Sequence, residues 1–372
     1  MRSIDNNTQA FFALVRAGLW EKDVRLLPYQ DIKWQIVYEL ASEQTVLGLV
    51  LAGLEHSDVK PQKELLLQWI GEVQLLEQRN KAMNGFVEKL IGRLEDAGIR
   101  ALLVKGQGIA QCYERPQWRA PGDVDLLLNK ENYDKAKAFL THLSKSLDSE
   151  DEGPMHMAMF IDNWEVELHG TLHSGLRPRY DQFLDNIQKQ VIEDYLVRIW
   201  RNGSTDVILP RADEDVVFVF AHILQHFFKG GIGLRQVCDW CRLLWTYKDL
   251  LDHGLLESRI RMMGFMTEWK AFASLGVNML GMPEDVMPFY SSAIKWQHKA
   301  ERILDFILET GNFGHNRENR YFEKKSLLGR KNYSFWRHTF DSVRHFFIFP
   351  RDSFLIWCNM VNTGIRAILK HQ

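Results

Sequence analysis

The sequence predicts an α+β protein, predominantly helical, in which a small mixed β-sheet core lies between N-terminal and C-terminal helical regions. Three observations point there. From Leu65 to Leu94 apolar residues recur with a period near 3.6, the mark of one long amphipathic helix. Between Arg100 and His169 the pattern changes to short apolar runs and strict alternation, which suits strands. Past Pro210 only helical patterns return. The expected division is a helical region over 1–84, the sheet core over 85–210 and a helical domain over 211–372. With 372 residues, 46% of them hydrophobic, the chain can fill a substantial core, and its length suits two or three such units.

Residues 9–54 alternate helical patterns with short breaks, with Leu40, Leu47, Val50 and Leu51 at helix-like spacings. Pro61 suits the first turn of the long helix, which runs to about Asp96 and stops at Gly98. It feeds a strand over 100–104. A short helix over 106–114 follows, then a loop with Pro116 and Pro121, a strand over 123–128 and a helix over 130–146. Met155–Ile161 and Trp164–His169 read as a hairpin, with Asp162-Asn163 as its turn. A helix over 178–200 and a short strand at Val207–Leu209 complete the core. Asp213 then caps a helix that ends at Gly230-Gly231, and later helices are separated at Gly254, Gly264, Gly281-Pro283, Pro288, Gly311 and Pro350.

The chemistry concentrates between Leu102 and His169. Asp123 and Asp125 are one residue apart, so on a strand they share a face. Adjacent carboxylates repel and titrate as a pair, and folding alone gives little reason to place them on an apolar strand. A hard divalent cation does, because Mg²⁺ takes carboxylate oxygens and keeps positions open for water and phosphate. Upstream, Lys105-Gly106 sits where a strand gives way to a turn, a place where backbone N–H groups and a lysine hold a triphosphate.

Downstream, Trp164, Val166 and Leu168 fall on one face of an alternating strand, and Glu165, Glu167 and His169 on the other. Glu167 is assigned as the third acid, with Glu165 as its rival on the same face. Three carboxylates on neighbouring strands bind two metal ions, the chemistry of phosphoryl or nucleotidyl transfer. Asp125 or Glu167 then serves as general base. Lys105, Gly106 and Arg119 are candidate phosphate contacts, and His169 a nucleotide contact or a support for the acids. Each has a plainer reading: a solvated strand end for Lys105, a turn for Gly106, a salt bridge to the acid pair for Arg119.

Together these residues resemble the polymerase-β-type nucleotidyltransferase superfamily, with its Gly-containing turn, Asp-x-Asp strand and later acid flanked by apolar residues. They are more closely similar to a bacterial group described as uncharacterised nucleotidyltransferases, through Lys105-Gly106, Arg119, Asp123-Val124-Asp125 and Glu167-Leu168-His169. Ala221-His222 with His226, and Leu234-Arg235 with Asp239, resemble that group's helical region, so the likeness spans roughly 85–250. It implies an NTP substrate, Mg²⁺ or Mn²⁺ as cofactor, metal ligation by Asp123, Asp125 and Glu167, and an acceptor that is a small molecule, protein or RNA. Gly106-Gln107 departs from the Gly-Ser or Gly-Gly of members with well-defined activity, so Gln107, placed with the nucleotide contacts, brings no hydroxyl to the phosphate. That departure keeps a non-catalytic nucleotide-binding or protein-interaction module in play, and a tRNA-modifying, toxin-like transferase is a further alternative.

The rest of the chain narrows the setting. A formal net charge of -2 gives no global field for nucleic acid or anionic membrane. Cys238 and Cys241 lie in a helical pattern without a partner pair, which fits buried helix residues better than zinc, and the absence of a disulfide framework fits the cytoplasm. The longest apolar stretch, Thr45 to Leu54, is too short to span a bilayer, so no membrane insertion is expected. His222 and His226 share a helix face and are expected near the cleft as structural histidines. Arg235 and Asp239 are expected to pair along their helix. From Phe313 to Arg351 nine Lys/Arg face three acids with aromatics interleaved, which reads as helices with an aromatic core face and a solvated basic face, or as a polyanion site.

Overall fold

The computed structural model describes residues 5–147, 155–312 and 327–370, with side chains described outside 327–336 and 365–370. It begins with α1 (Asn6–Trp20), whose first N–H groups donate to the Asp5 carboxylate, then α2 (Trp34–Glu43) and α3 (Leu47–Glu55). Helices α1 and α3 touch backbone to backbone. A Cβ on Gly18 would lie 1.9 Å from the Leu49 carbonyl oxygen, and one on Gly53 would lie 2.1 Å from that of Leu14. The long helix α4 (Lys63–Asp96) has 34 residues, about 50 Å at 1.5 Å per residue.

The sheet region follows as β1 (Leu102–Val104), α5 (Gly106–Ala110), a 3₁₀ turn (Pro116–Trp118), β2 (Val124–Leu127), α6 (Lys130–Thr141), β3 (Ser146–Leu147), β4 (His156–Ile161) and β5 (Trp164–His169). Strand order is β1-β2-β5-β4-β3, with β2 and β5 parallel and the other neighbours antiparallel, so the sheet is small and mixed as expected. Next come α7 (Pro178–Glu193), the hairpin β6 (Val197–Asn202) and β7 (Thr205–Pro210), and α8 (Ala212–Lys229). The chain closes with α9 (Leu234–Thr246), α10 (His253–Met263), α11 (Met266–Asn278), α12 (Ile294–Thr310), α13 (Leu327–Phe346) and α14 (Pro350–Lys370). Among the described residues no helix is long and apolar enough to cross a membrane.

Local differences from expectation have local causes. The helix placed over 178–200 ends at Glu193, Tyr195 takes φ 53°, and Val197–Asn202 turns back on β7 through Gly203 at φ 58°. Alternation in Val197-Arg198-Ile199 was the strand signal that the helical run before it hid. The helix over 130–146 stops at Thr141 because Ser146 and Leu147 pair with β4. The one over 106–114 is a single turn to Ala110. Asp213 does not cap α8. Arg211 holds that position, and Asp213 instead accepts the Asp252 backbone N–H from the next connection, where Asp252 caps α10 just ahead of Gly254.

Two apolar cores result. One lies between the sheet and helices α4 and α6, built from Phe86, Leu90, Leu103, Leu126, Tyr133, Val166 and Leu168. The larger one joins the first helices of the chain to the last ones, with Phe11, Leu14 and Trp69 in the same cluster as Phe220, Trp240, Trp269 and Phe306. Polar ties reinforce it: Trp20 Nε1 donates to the Leu280 carbonyl at 2.6 Å, and Arg242 donates to that of Leu19 at 2.9 Å. Both cysteines of the C-x-x-C are buried in this core, as expected. The other face of the sheet, carrying Asp125, looks toward α8 and α9.

Candidate active site

Register places the acids. Asp125 pairs with Val104 on one side and with Glu167 on the other, so the end of β1, the centre of β2 and the acid of β5 lie in one row. Asp123 stands one residue before β2. One carboxylate oxygen from each of Asp123, Asp125 and Glu167 falls within 4.8 Å of the others. Glu167, not Glu165, is therefore the acid brought beside the Asp pair; Glu165 is opposite Phe160, further along β4.

The cluster opens on a cavity of about 650 Å³ between the sheet, the β5–α7 connection and helices α8 and α9. Lys105, Gly106, Arg119, Asp123, Asp125, Glu167 and His169 all line it. Gln107 does not. It is buried and turned to the far side, where its amide donates to Asn80 Oδ1 at 3.2 Å and Asn84 Oδ1 at 2.5 Å on α4. Placing Gln107 among the nucleotide contacts is thus corrected: it braces the turn. Asn80 also donates to the carbonyls of Gln117 and Arg119 at 2.8 and 2.9 Å, so one buried amide ties together the turn after β1 and the loop before β2.

Electrostatics follow from this packing. Lys105 takes φ 58°, rare for a residue with a side chain, and its ammonium lies 2.6 Å from Asp125 Oδ1. His169 Nε2 is 2.8 Å from the same oxygen and 3.3 Å from Glu167 Oε2. Burial pushes Asp125 up, but Lys105 and His169 outweigh it and hold the carboxyl below its usual range. Glu167 is held low in the same way, against burial, by His156, His169 and Lys105. Asp123 has the opposite fate: the Asp125 charge, then burial, raise it to about 6.

Arg119 is engaged elsewhere than on the acid pair. Its Nε and Nη2 meet the two oxygens of Asp239 at 2.7 and 2.8 Å, and Tyr113 donates its hydroxyl to Asp239 at 2.7 Å. This overturns the expected helix pair of Arg235 with Asp239: the bidentate fork from the loop claims that carboxylate. Arg235 donates through Nη1 to the Ala120 carbonyl at 2.7 Å, while its buried Nε has no partner among the described residues. Burial, then the neighbouring Arg119 charge, lower its pKa to about 10. His222 and His226 line the cavity one turn apart on α8, rings 4.3 Å from each other. Burial, then Lys105, push His222 well down and His226 to about 4, so both are neutral near pH 7.

His156 was missed by the sequence reading, although a two-residue turn at Asp162-Asn163 already sets it opposite His169. Lys229, Asp181 and the 171–175 connection also line the cavity, and no local pattern marks them. The basic, aromatic segment from Phe313 lies largely outside the described residues. In its described part Phe349 is buried while Phe340, Phe346 and Phe347 are exposed, so the aromatic side chains do not all form a core face.

No curated protein and no solved structure matches this chain. A family model described as an uncharacterised nucleotidyltransferase matches residues 30–279, about two thirds of the length and well beyond the 85–250 span of the motifs. With the Asp pair, the later acid and their cavity all inside that match, the chain belongs to the uncharacterised nucleotidyltransferase family.

Proposed function

We propose that this protein transfers a nucleoside monophosphate from an NTP to an acceptor hydroxyl, releasing pyrophosphate, in the manner of the polymerase-β-type superfamily. The observation that carries the reading is the row of Asp123, Asp125 and Glu167 lining a cavity that also holds Lys105 and Arg235. Three carboxylates offer the hard oxygen donors that suit Mg²⁺ or Mn²⁺, so the residues fit such an ion. When bound, it would polarise the α-phosphate and lower the acceptor hydroxyl's pKa.

The chain's own residues account for the remaining work. The acceptor oxygen bonds to the α-phosphorus as the bond to the β-phosphate oxygen breaks, and the hydroxyl proton passes to a carboxylate. Glu167 is the better placed of the two candidate bases, since its side chain is 22% exposed to the cavity against 2% for Asp125. Arg235 takes the triphosphate role that Arg119 cannot fill, because its guanidinium lines the cavity and pairs with no carboxylate among the described residues. Neutral His222 and His226 line the cavity without adding charge to it. The acceptor's class is left to experiment, and the setting is the cytoplasm, where NTPs are plentiful.

Incubating the protein with labelled NTPs, Mg²⁺ and candidate acceptors tests the reading. Asp125→Ala is expected to lose at least about a hundredfold in rate, the scale of removing one centre of transition-state charge stabilisation. An equally active Asp125→Ala protein would sink the assignment. The non-catalytic reading draws support from Gln107, whose side chain is turned to α4, so the residue after Gly106 brings no side chain to a phosphate. Calorimetry showing Mg²⁺-dependent NTP binding without turnover across a broad acceptor set would favour it.

A further inference from the structure

We propose that His156, His169 and Glu167 form a site for a divalent transition-metal cation of the Zn²⁺ class, next to the carboxylate row and sharing Glu167 with it. Strand register builds the site: His156 on β4 and His169 on β5 are direct cross-strand partners, with ring centroids 4.9 Å apart. Nε2 of each lies 3.3 Å from the same oxygen, Glu167 Oε2. One donor atom from each of the three residues falls within 4.8 Å of the others, and all three line the cavity.

Donor chemistry separates this set from the row beside it. Asp123, Asp125 and Glu167 offer oxygen alone, whereas two imidazoles and one carboxylate favour borderline cations over Mg²⁺. Three protein ligands with a free position toward a cavity is the composition of reactive rather than structural zinc sites. Both histidines sit on paired strands, which hold donors more tightly than loops do. Binding uses the neutral Nε2 lone pairs, so any proton held there leaves to solvent as the cation enters. Glu167 then belongs to two sites, and filling one alters the other. The inference shares that residue with the proposed transfer reaction but does not need turnover to occur.

The test uses the full-length protein, stripped of metal by chelation and titrated with Co²⁺ alone, without Mg²⁺ or nucleotide. The expected result is the intense visible absorption of four-coordinate Co²⁺, held by the three side chains and a water, saturating near one equivalent and erased by added Zn²⁺. His156→Ala is expected to bleach the band and weaken binding at least about tenfold, the low end of what removing even a supporting residue costs. His156→Gln, which keeps a hydrogen-bond donor to Glu167 but no imidazole, must behave the same way. His173→Ala, which removes another cavity histidine, one that pairs with Asp185, must leave the band intact. A band that persists in His156→Gln, or Co²⁺ uptake with only the faint absorption of a six-coordinate ion, overturns the proposal. Since the readout is spectral, an absence of nucleotide transfer and an absence of cobalt binding are separate results.

Discussion

Replacing Asp239 by Asn is the perturbation whose size the structure defines best. Asp239 receives two guanidinium contacts from Arg119 and the Tyr113 hydroxyl, and the two ionic side chains are 6% and 8% exposed. An exposed ion pair is worth about 0–1 kcal/mol, but breaking a buried one leaves a charge without water or partner and costs about 3–5 kcal/mol. Here the stranded charge has company, since Arg235 is buried close by and shares no carboxylate. The upper part of that range is therefore expected, a large share of the 5–15 kcal/mol typical of a folded domain. Urea denaturation followed by tryptophan fluorescence measures it. The double substitution Arg119→Met with Asp239→Leu removes both charges and is expected to recover most of the loss, because apolar replacement of a whole buried pair is often neutral. A loss under about 1 kcal/mol for Asp239→Asn, or a double variant no more stable than the single one, would refute the reasoning.

Two further outcomes follow from the same packing. Gln107→Leu leaves Asn80 Oδ1 and Asn84 Oδ1 without their donor, so stability should fall by about 1–3 kcal/mol while NTP affinity in calorimetry stays within about twofold; a selective loss of NTP affinity would restore Gln107 to the nucleotide site. His226 is held neutral, its pKa lowered from 6.5 to about 4, so the unfolded chain binds the extra proton between those values. Its contribution is present above pH 6.5 and is lost as pH falls toward 4, by up to about 3 kcal/mol, and His226→Phe should flatten that part of the stability–pH curve; an unchanged curve would mean His226 is not held neutral by burial.

Much of the sheet was legible because its signals are local. Alternation in Trp164–His169 fixes which residues share a face, and that parity put Glu167 and His169 with the Asp pair before any strand order was known. Part of what escaped depends on partners far along the chain. Whether Arg119 meets the acid pair or Asp239 is decided by a helix 120 residues later. Gln107 looked like a phosphate contact because it follows Lys105-Gly106, yet the helical turn from Gly106 points it at α4. His156 needed a pairing register, and the Val197–Asn202 strand was masked by the helix running into it.

The core shared by the two ends of the chain also has a consequence for synthesis. Arg16 donates to the Met279 carbonyl across 263 residues, and Trp20 Nε1 donates to that of Leu280, while Phe11 and Leu14 belong to the same apolar cluster as Trp269 and Phe306. At about 5–20 residues per second, the first helices leave the ribosome roughly 13–50 s before their partners exist. During that interval a surface of Phe, Leu and Trp waits uncovered, so this chain should depend on holdase chaperones while it is being made, whatever chemistry it performs once complete.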